Sequence, residues 1–175
     1  MREWARARRL ESRAVGPAVQ LAEEFARVNR DLIGLVDGLT SEAWRMTAAN
    51  APGWKFGEDE RRTVGQVALH TANQHLVQLA IVLGVANGEV AQLRHPSNEA
   101  EALENPDPDR EDVLRRLREN GEIVYGALAA LSAEQLDRAL TFKGWTMTCR
   151  ETIEQLAIGH VRWHLASIRA ALGDS

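Results

Sequence analysis

The stretch Gln155-Leu-Ala-Ile-Gly-His160-Val-Arg-Trp-His164-Leu-Ala-Ser-Ile168 decides how the rest of the chain is read. At about 100° per residue, positions four apart stack on one helical face. His160 and His164 therefore share a face, and Ile153, Leu156, Ala157 and Ile168 fall on the same side. Apolar residues recurring at that spacing predict a helix with one face turned to a core. Two imidazoles stacked in this way can hold one metal ion together. A third ligand must then come from another part of the chain.

Outward from that stretch, Thr148 with Glu151 three residues on marks the helix start, and Gly173 marks its stop. Three further helical stretches precede it. One begins at Pro17, a residue suited to a first turn, and ends near Asp37-Gly38. A second runs from Asp59 or Thr63 to Gly84 or a little beyond. A third starts near Asp109, with Glu111 and Asp112 in its first turn where the helix dipole favours acids. Short capped turns are expected at Leu39–Trp44 and Leu131–Asp137. Residues 46–58 and the segment holding Gly144-Trp145 read as loops. Residues 87–108, broken by Pro96, Pro106 and Pro108, read as a long connector with a partial helical turn around Glu99–Leu103. Sustained period-two alternation is missing, so a strand reading fails almost everywhere. The fold class predicted is all-α, a four-helix bundle.

The two halves resemble each other. Leu39-Thr-Ser-Glu-Ala-Trp44 parallels Leu131-Ser-Ala-Glu-Gln-Leu136, and Gly53-Trp54 parallels Gly144-Trp145. Thr63-Val-Gly-Gln-Val-Ala-Leu69 aligns without a gap with Thr152-Ile-Glu-Gln-Leu-Ala-Ile158. In that register His75 falls opposite His164, and Leu83-Gly84 opposite Leu172-Gly173. Two pseudo-repeated helical hairpins follow.

Composition bounds the function. The 175 residues suit one domain over 15–175, preceded by a basic arm at 1–14 (Arg2, Arg6, Arg8, Arg9, Arg13). A net charge of −4, with Glu3 and Glu11 interleaved in the arm, argues against a general nucleic-acid binder. The arm lacks the apolar stretch of a secretory signal, and no run is long enough to span a bilayer. One cysteine, Cys149, excludes an internal disulfide framework and fits a reducing compartment, so a cytoplasmic location is expected. A lone thiol at a helix start is more often inert than reactive. Trp54 and Trp145 are expected to pack loops over the bundle, and Trp163 to point off the histidine face. Gly-rich phosphate loops, Ser-His-Asp order and paired carboxylates are not evident.

The third ligand must be His70, His75 or His95. His70 and His75, five apart, point about 140° from each other and cannot both face one ion. Spacing alone does not choose between them, and the repeat register favours His75.

The pattern Thr63-Val-x-Gln66-Val67-Ala68-Leu69-His70, a long connector, then His160-x-x-x-His164 resembles the DinB/YfiT-like metalloenzymes. The Leu-Thr-Ser-Glu-Ala-Trp and Gly-Trp elements resemble that family too, and the likeness spans residues 17–172. The resemblance implies an up-down-down-up bundle, which suits the long connector. It also implies a three-histidine metal site, carried over as His70, His160 and His164. Many members carry Gln shortly after the last histidine, where this chain has Leu165-Ala166-Ser167.

Three neutral imidazoles suit Zn²⁺, Ni²⁺ or Fe²⁺, and three protein ligands leave positions open, as in catalytic sites. Gln74, Glu154, Tyr125 and Asn29 are available as partners for the outer ring nitrogens. Catalytic relatives imply a thiol-dependent S-transferase or isomerase, with a low-molecular-weight thiol attacking a small electrophile. A hydrolytic variant, and a non-catalytic metal- or ligand-binding stress protein, are the alternatives. A small-molecule substrate is the expected partner, and pairing into a homodimer is an expectation taken from relatives.

Overall fold

The computed structural model describes residues 16–50, 60–89, 104–142 and 144–173. The basic arm, Gly53-Trp54, His95 and the turn expected around 99–103 lie outside the described residues. Helix α1 is Pro17–Asp37, the short α2 is Ser41–Arg45, α3 is Val64–Asn87, and α4 is Arg110–Ala129. The short α5 (Ala133–Asp137) leads into strands β1 (Ala139–Phe142) and β2 (Trp145–Thr148). The last bundle helix is composite: α6 (Cys149–Thr152), a π-helical turn (Ile153–Ile158) and α7 (Gly159–Leu172).

Each start has a local cause. Thr63 accepts from the Gln66 amide at 3.2 Å while the Gln66 side chain accepts from the Thr63 amide at 2.9 Å. Thr148 and Glu151 repeat this reciprocal cap, and so do Ser132 and Gln135. Asp109 caps α4 through the Asp112 amide at 2.8 Å. Helices α3 and α7 both end on a left-handed glycine, Gly88 at φ 73° and Gly173 at φ 78°. There the absence of Cβ removes the steric cost of positive φ.

These caps correct the register of the internal repeat. Thr63 corresponds to Thr148 and Gly88 to Gly173 at one and the same offset. That is one helical turn from the alignment that pairs Thr63 with Thr152. The gapless sequence match follows apolar period, which a one-turn slip preserves, whereas a capping box exists at one position only.

The segment 139–148, expected as a loop, is an antiparallel hairpin. Ala139 pairs with Thr148 and Phe142 with Trp145. The Thr141 and Thr146 hydroxyls bond across it at 2.8 Å, and Gly144 takes φ 83° at the turn. Four-residue strands are too short for alternation to register, though their threonines and aromatics are strand formers.

Around the bundle, α1 packs on α4, α4 on α3, α3 on the composite helix, and that helix on α1. Arg110, at the start of α4, bonds the carbonyls of Leu39 and Thr40 just past the end of α1, so this pair is antiparallel. Asn120 bonds the Ala72 carbonyl, and Arg138 beyond α4 bonds that of Ala86 near the end of α3, so α3 and α4 run parallel. Cys149 lies 3.7 Å from the Val82 carbonyl while His70 meets His160, so the last helix opposes α3. The up-down-down-up topology follows from these contacts. Phe25, Leu32, Leu117, Leu128, Ile153, Ile158 and Ile168 are fully buried and fill the interior. No helix among the described residues is long and apolar enough to cross a membrane.

Trp44 locks one end of the bundle. Its indole donates to the Pro108 carbonyl at 3.0 Å, and the Arg110 guanidinium lies 5.3 Å above its ring. A Cβ on Gly65 would stand 2.5 Å from Trp44 Cε2. The indole is held on both sides and cannot retreat, so Gly65→Ala overpacks the site. We expect a loss of about 1–3 kcal/mol in urea unfolding. An unchanged midpoint would show that the indole moves freely.

Candidate functional site

Three histidines meet in the interior. His70 comes from the second turn of α3, and His160 and His164 from the start of α7. Their ring centroids lie 5.3 Å (His70–His160), 5.0 Å (His70–His164) and 4.4 Å (His160–His164) apart. One nitrogen from each ring falls within 4.8 Å of the others. The Nε2 atoms of His160 and His164 face each other at 3.1 Å.

The π-helical turn stands immediately before this pair. Its wider winding closes with the Gly159 amide bonding the Glu154 carbonyl, five residues back. Apolar spacing predicts one uniform α-helical face through Ile153, Leu156 and Ala157. With the π turn, Ile158 is buried and Leu156 only half-buried. A Cβ on Gly159 would sit 3.1 Å from the Glu154 carbonyl oxygen, a close approach that glycine makes easy.

The cluster is dry. The three rings are between 1 and 8% exposed. Burial holds the His164 proton affinity well below the usual imidazole range, and the neighbouring His160, His70 and Arg62 lower it further. A neutral imidazole carries one N–H and one lone pair. At 3.1 Å two Nε2 atoms can share a proton or point lone pairs at a common cation. The His164 Nδ1 is buried without a hydrogen bond, so a proton placed there finds no acceptor among the described residues. Three converging nitrogen donors, joined by no carboxylate or thiol among the described residues, fit a borderline divalent transition ion and leave open coordination positions.

The surroundings were only partly legible. Trp163, expected to point off the histidine face, lies edge-on to His164 with centroids 4.5 Å apart. An indole is long enough to fold back across the separation between consecutive helical positions. Glu60 and Arg62, which no spacing rule marks, form an ion pair beside α3 at 2.7 Å. Ser167 donates to the Ala49 carbonyl and holds the segment after α2 against α7. Of the suggested outer partners, Tyr125 and Glu154 are exposed and Gln74 is buried. Asn29 serves another histidine.

That histidine is His75, the residue favoured by the repeat register. It stands outside the cluster. Its Nε2 lies 2.9 Å from Asn29 Oδ1, and its ring meets Phe25 edge-on with centroids 5.2 Å apart. Asn29 Nδ2 donates to the Leu117 carbonyl at 2.9 Å. The group ties α1, α3 and α4 together. Burial pushes the His75 pKa down to about 4, so it is neutral at pH 7. Cys149 is also buried, and that burial pushes its thiol up to about 11, which fits an inert residue.

Residues 24–168 match the DinB superfamily. Among solved structures the chain is similar to YfiT from Bacillus subtilis, with 18% identity, 93% of each chain covered and a TM-score of 0.67. That protein is described as a probable metal-dependent hydrolase with an unusual four-helix bundle topology. Comparison with curated proteins finds no match.

Proposed function

The chain belongs to the DinB superfamily, and from that premise we propose that it is a metal-dependent enzyme acting on a small-molecule electrophile. The observation carrying the proposal is the convergence of His70, His160 and His164 on one buried point. Their imidazoles would hold a divalent Zn, Ni or Fe ion. Such an ion supplies Lewis acidity that lowers the pKa of a thiol or water nucleophile at an open position. The chain's own residues do the rest. The π turn and Gly159 set the azimuth of the histidine pair. The low exposure of all three rings keeps bulk water away and strengthens electrostatic interactions within the site.

The nucleophile we infer is a low-molecular-weight thiol, giving S-transfer or isomerisation, as the resemblance to catalytic relatives implies. Hydrolysis is the second reading, favoured by the description of the YfiT structure. Turnover that requires an added thiol supports the first, and thiol-independent turnover the second.

The direct test is metal content by elemental mass spectrometry on untagged protein. We expect about one ion per chain, consistent with one three-ligand site. His70→Ala and His160→Ala would lose it, and His75→Ala would keep it. No metal in the wild type after reconstitution would remove the enzyme reading and leave a helical binding protein.

A further inference from the structure

Arg62 sits just before α3 and is stitched firmly in place. Its carbonyl accepts from the Ala48 amide at 2.9 Å, and the neighbouring Ala49 is bonded to Ser167, three residues beyond His164. Its side chain is only 14% exposed and that of Glu60 only 2%. Glu60 Oε1 accepts from Arg62 Nε at 2.7 Å and Oε2 from Nη2 at 2.7 Å. Glu60 Oε1 also accepts from the Arg62 amide at 3.0 Å. The Glu60 amide is in turn fixed by Asn50 Oδ1 at 2.6 Å.

One side of the guanidinium is therefore fully used and the other is not. Among the described residues, no acceptor meets Nη1. The end-on edge formed by Nη1 and Nη2 is the geometry that takes two oxygens of a carboxylate or phosphate. The bonds at Ala48 and Ala49 tie the Arg62 segment to α7 at Ser167, within one turn of His164. A buried ion pair is a poor stabilising device, because desolvating two charges offsets most of their attraction. Holding a rigid guanidinium on a segment bonded to the histidine-bearing helix is a better account of it.

We propose that Arg62, steadied by Glu60, is the specificity-determining residue of the site and recognises an oxyanion, a carboxylate or phosphate carried by the substrate or cosubstrate. The proposal rests on the three-histidine reading for the location of the chemistry, but anion recognition itself does not require the ion. It narrows the substrate class to small anionic molecules. Neutral electrophiles paired with a neutral thiol are poor substrates on this account.

The test uses isotope-labelled protein in metal-free and zinc-loaded forms, titrated separately with acetate and inorganic phosphate. Nuclear magnetic resonance follows the Arg62 Nε–H and the His164 ring. A saturable shift in the metal-free wild type is expected, and the tighter of the two probes identifies the anion. Arg62→Gln should weaken the His164-ring response about tenfold or more, the value of a hydrogen bond to a charged group. Arg62→Lys keeps the charge but not the fork, and should fall between. A merely structural Arg62 would change stability and leave anion affinity alone. Absence of a saturable shift in the metal-free wild type overturns the proposal, whatever the metal content. So does equal affinity in wild type and Arg62→Gln, or a response confined to the zinc-loaded form that survives the substitution. Failure of the metal reading would show instead as absent zinc binding with the anion response intact.

Discussion

Zinc added to metal-free protein at about 1,000 times its dissociation constant raises the unfolding free energy by about 4 kcal/mol, and His160→Ala abolishes the gain. The increment is a linkage effect: the folded chain presents three converging nitrogens and the unfolded chain does not. His160 contributes one of them, with its Nε2 3.1 Å from that of His164. His75→Ala should keep the increment while starting from a lower baseline, since it leaves Asn29 Oδ1 without its ring partner. Paired urea titrations with zinc and with chelator read both effects. An equal zinc increment in wild type and His160→Ala would place the ion elsewhere.

Acidification from pH 7 to 4 removes about 3 kcal/mol of stability through His75 alone. The direction follows from proton counting. The folded pKa lies near 4 and the unfolded value near 6.5. Between them the unfolded chain binds a proton that the folded chain refuses, so stability present above the unfolded pKa is lost as pH falls towards the folded one. Burial is the cause, because the ring meets Phe25 and Asn29, with no charged partner among the described residues to stabilise an imidazolium. His75→Gln removes the titration, so the gap between wild-type and variant stability should narrow from pH 7 to pH 4. Parallel unfolding curves at both pH values measure it, with the carboxylates common to both proteins cancelling. A constant gap would show that His75 accepts a proton in the folded state.

Much of the bundle was legible along the chain. Pro17, Thr63, Asp109 and Thr148 each mark a helix start that the structure places within the same turn. Such caps are local chemistry, settled within four residues. The hairpin at 139–148 escaped because each strand is only four residues long. The slipped repeat register arose because apolar period is unchanged by a whole helical turn.

The i, i+4 placement of His160 and His164 was likewise a local matter, fixed by helix geometry once the helix was recognised. Which distant histidine joins them was not. His70 and His75 differ by five positions on one helix, and only the packing of α3 against α7 and α1 turns one to the cluster and the other to Asn29. The same holds for Arg62, whose segment is tied to α7 through Ala48, Ala49 and Ser167 only by folding across a hundred residues of chain. Periodicity acts over a turn or two and is written into the sequence. The azimuth of one helix against another is set by the collective fit of side chains from all four, and that belongs to the tertiary structure alone.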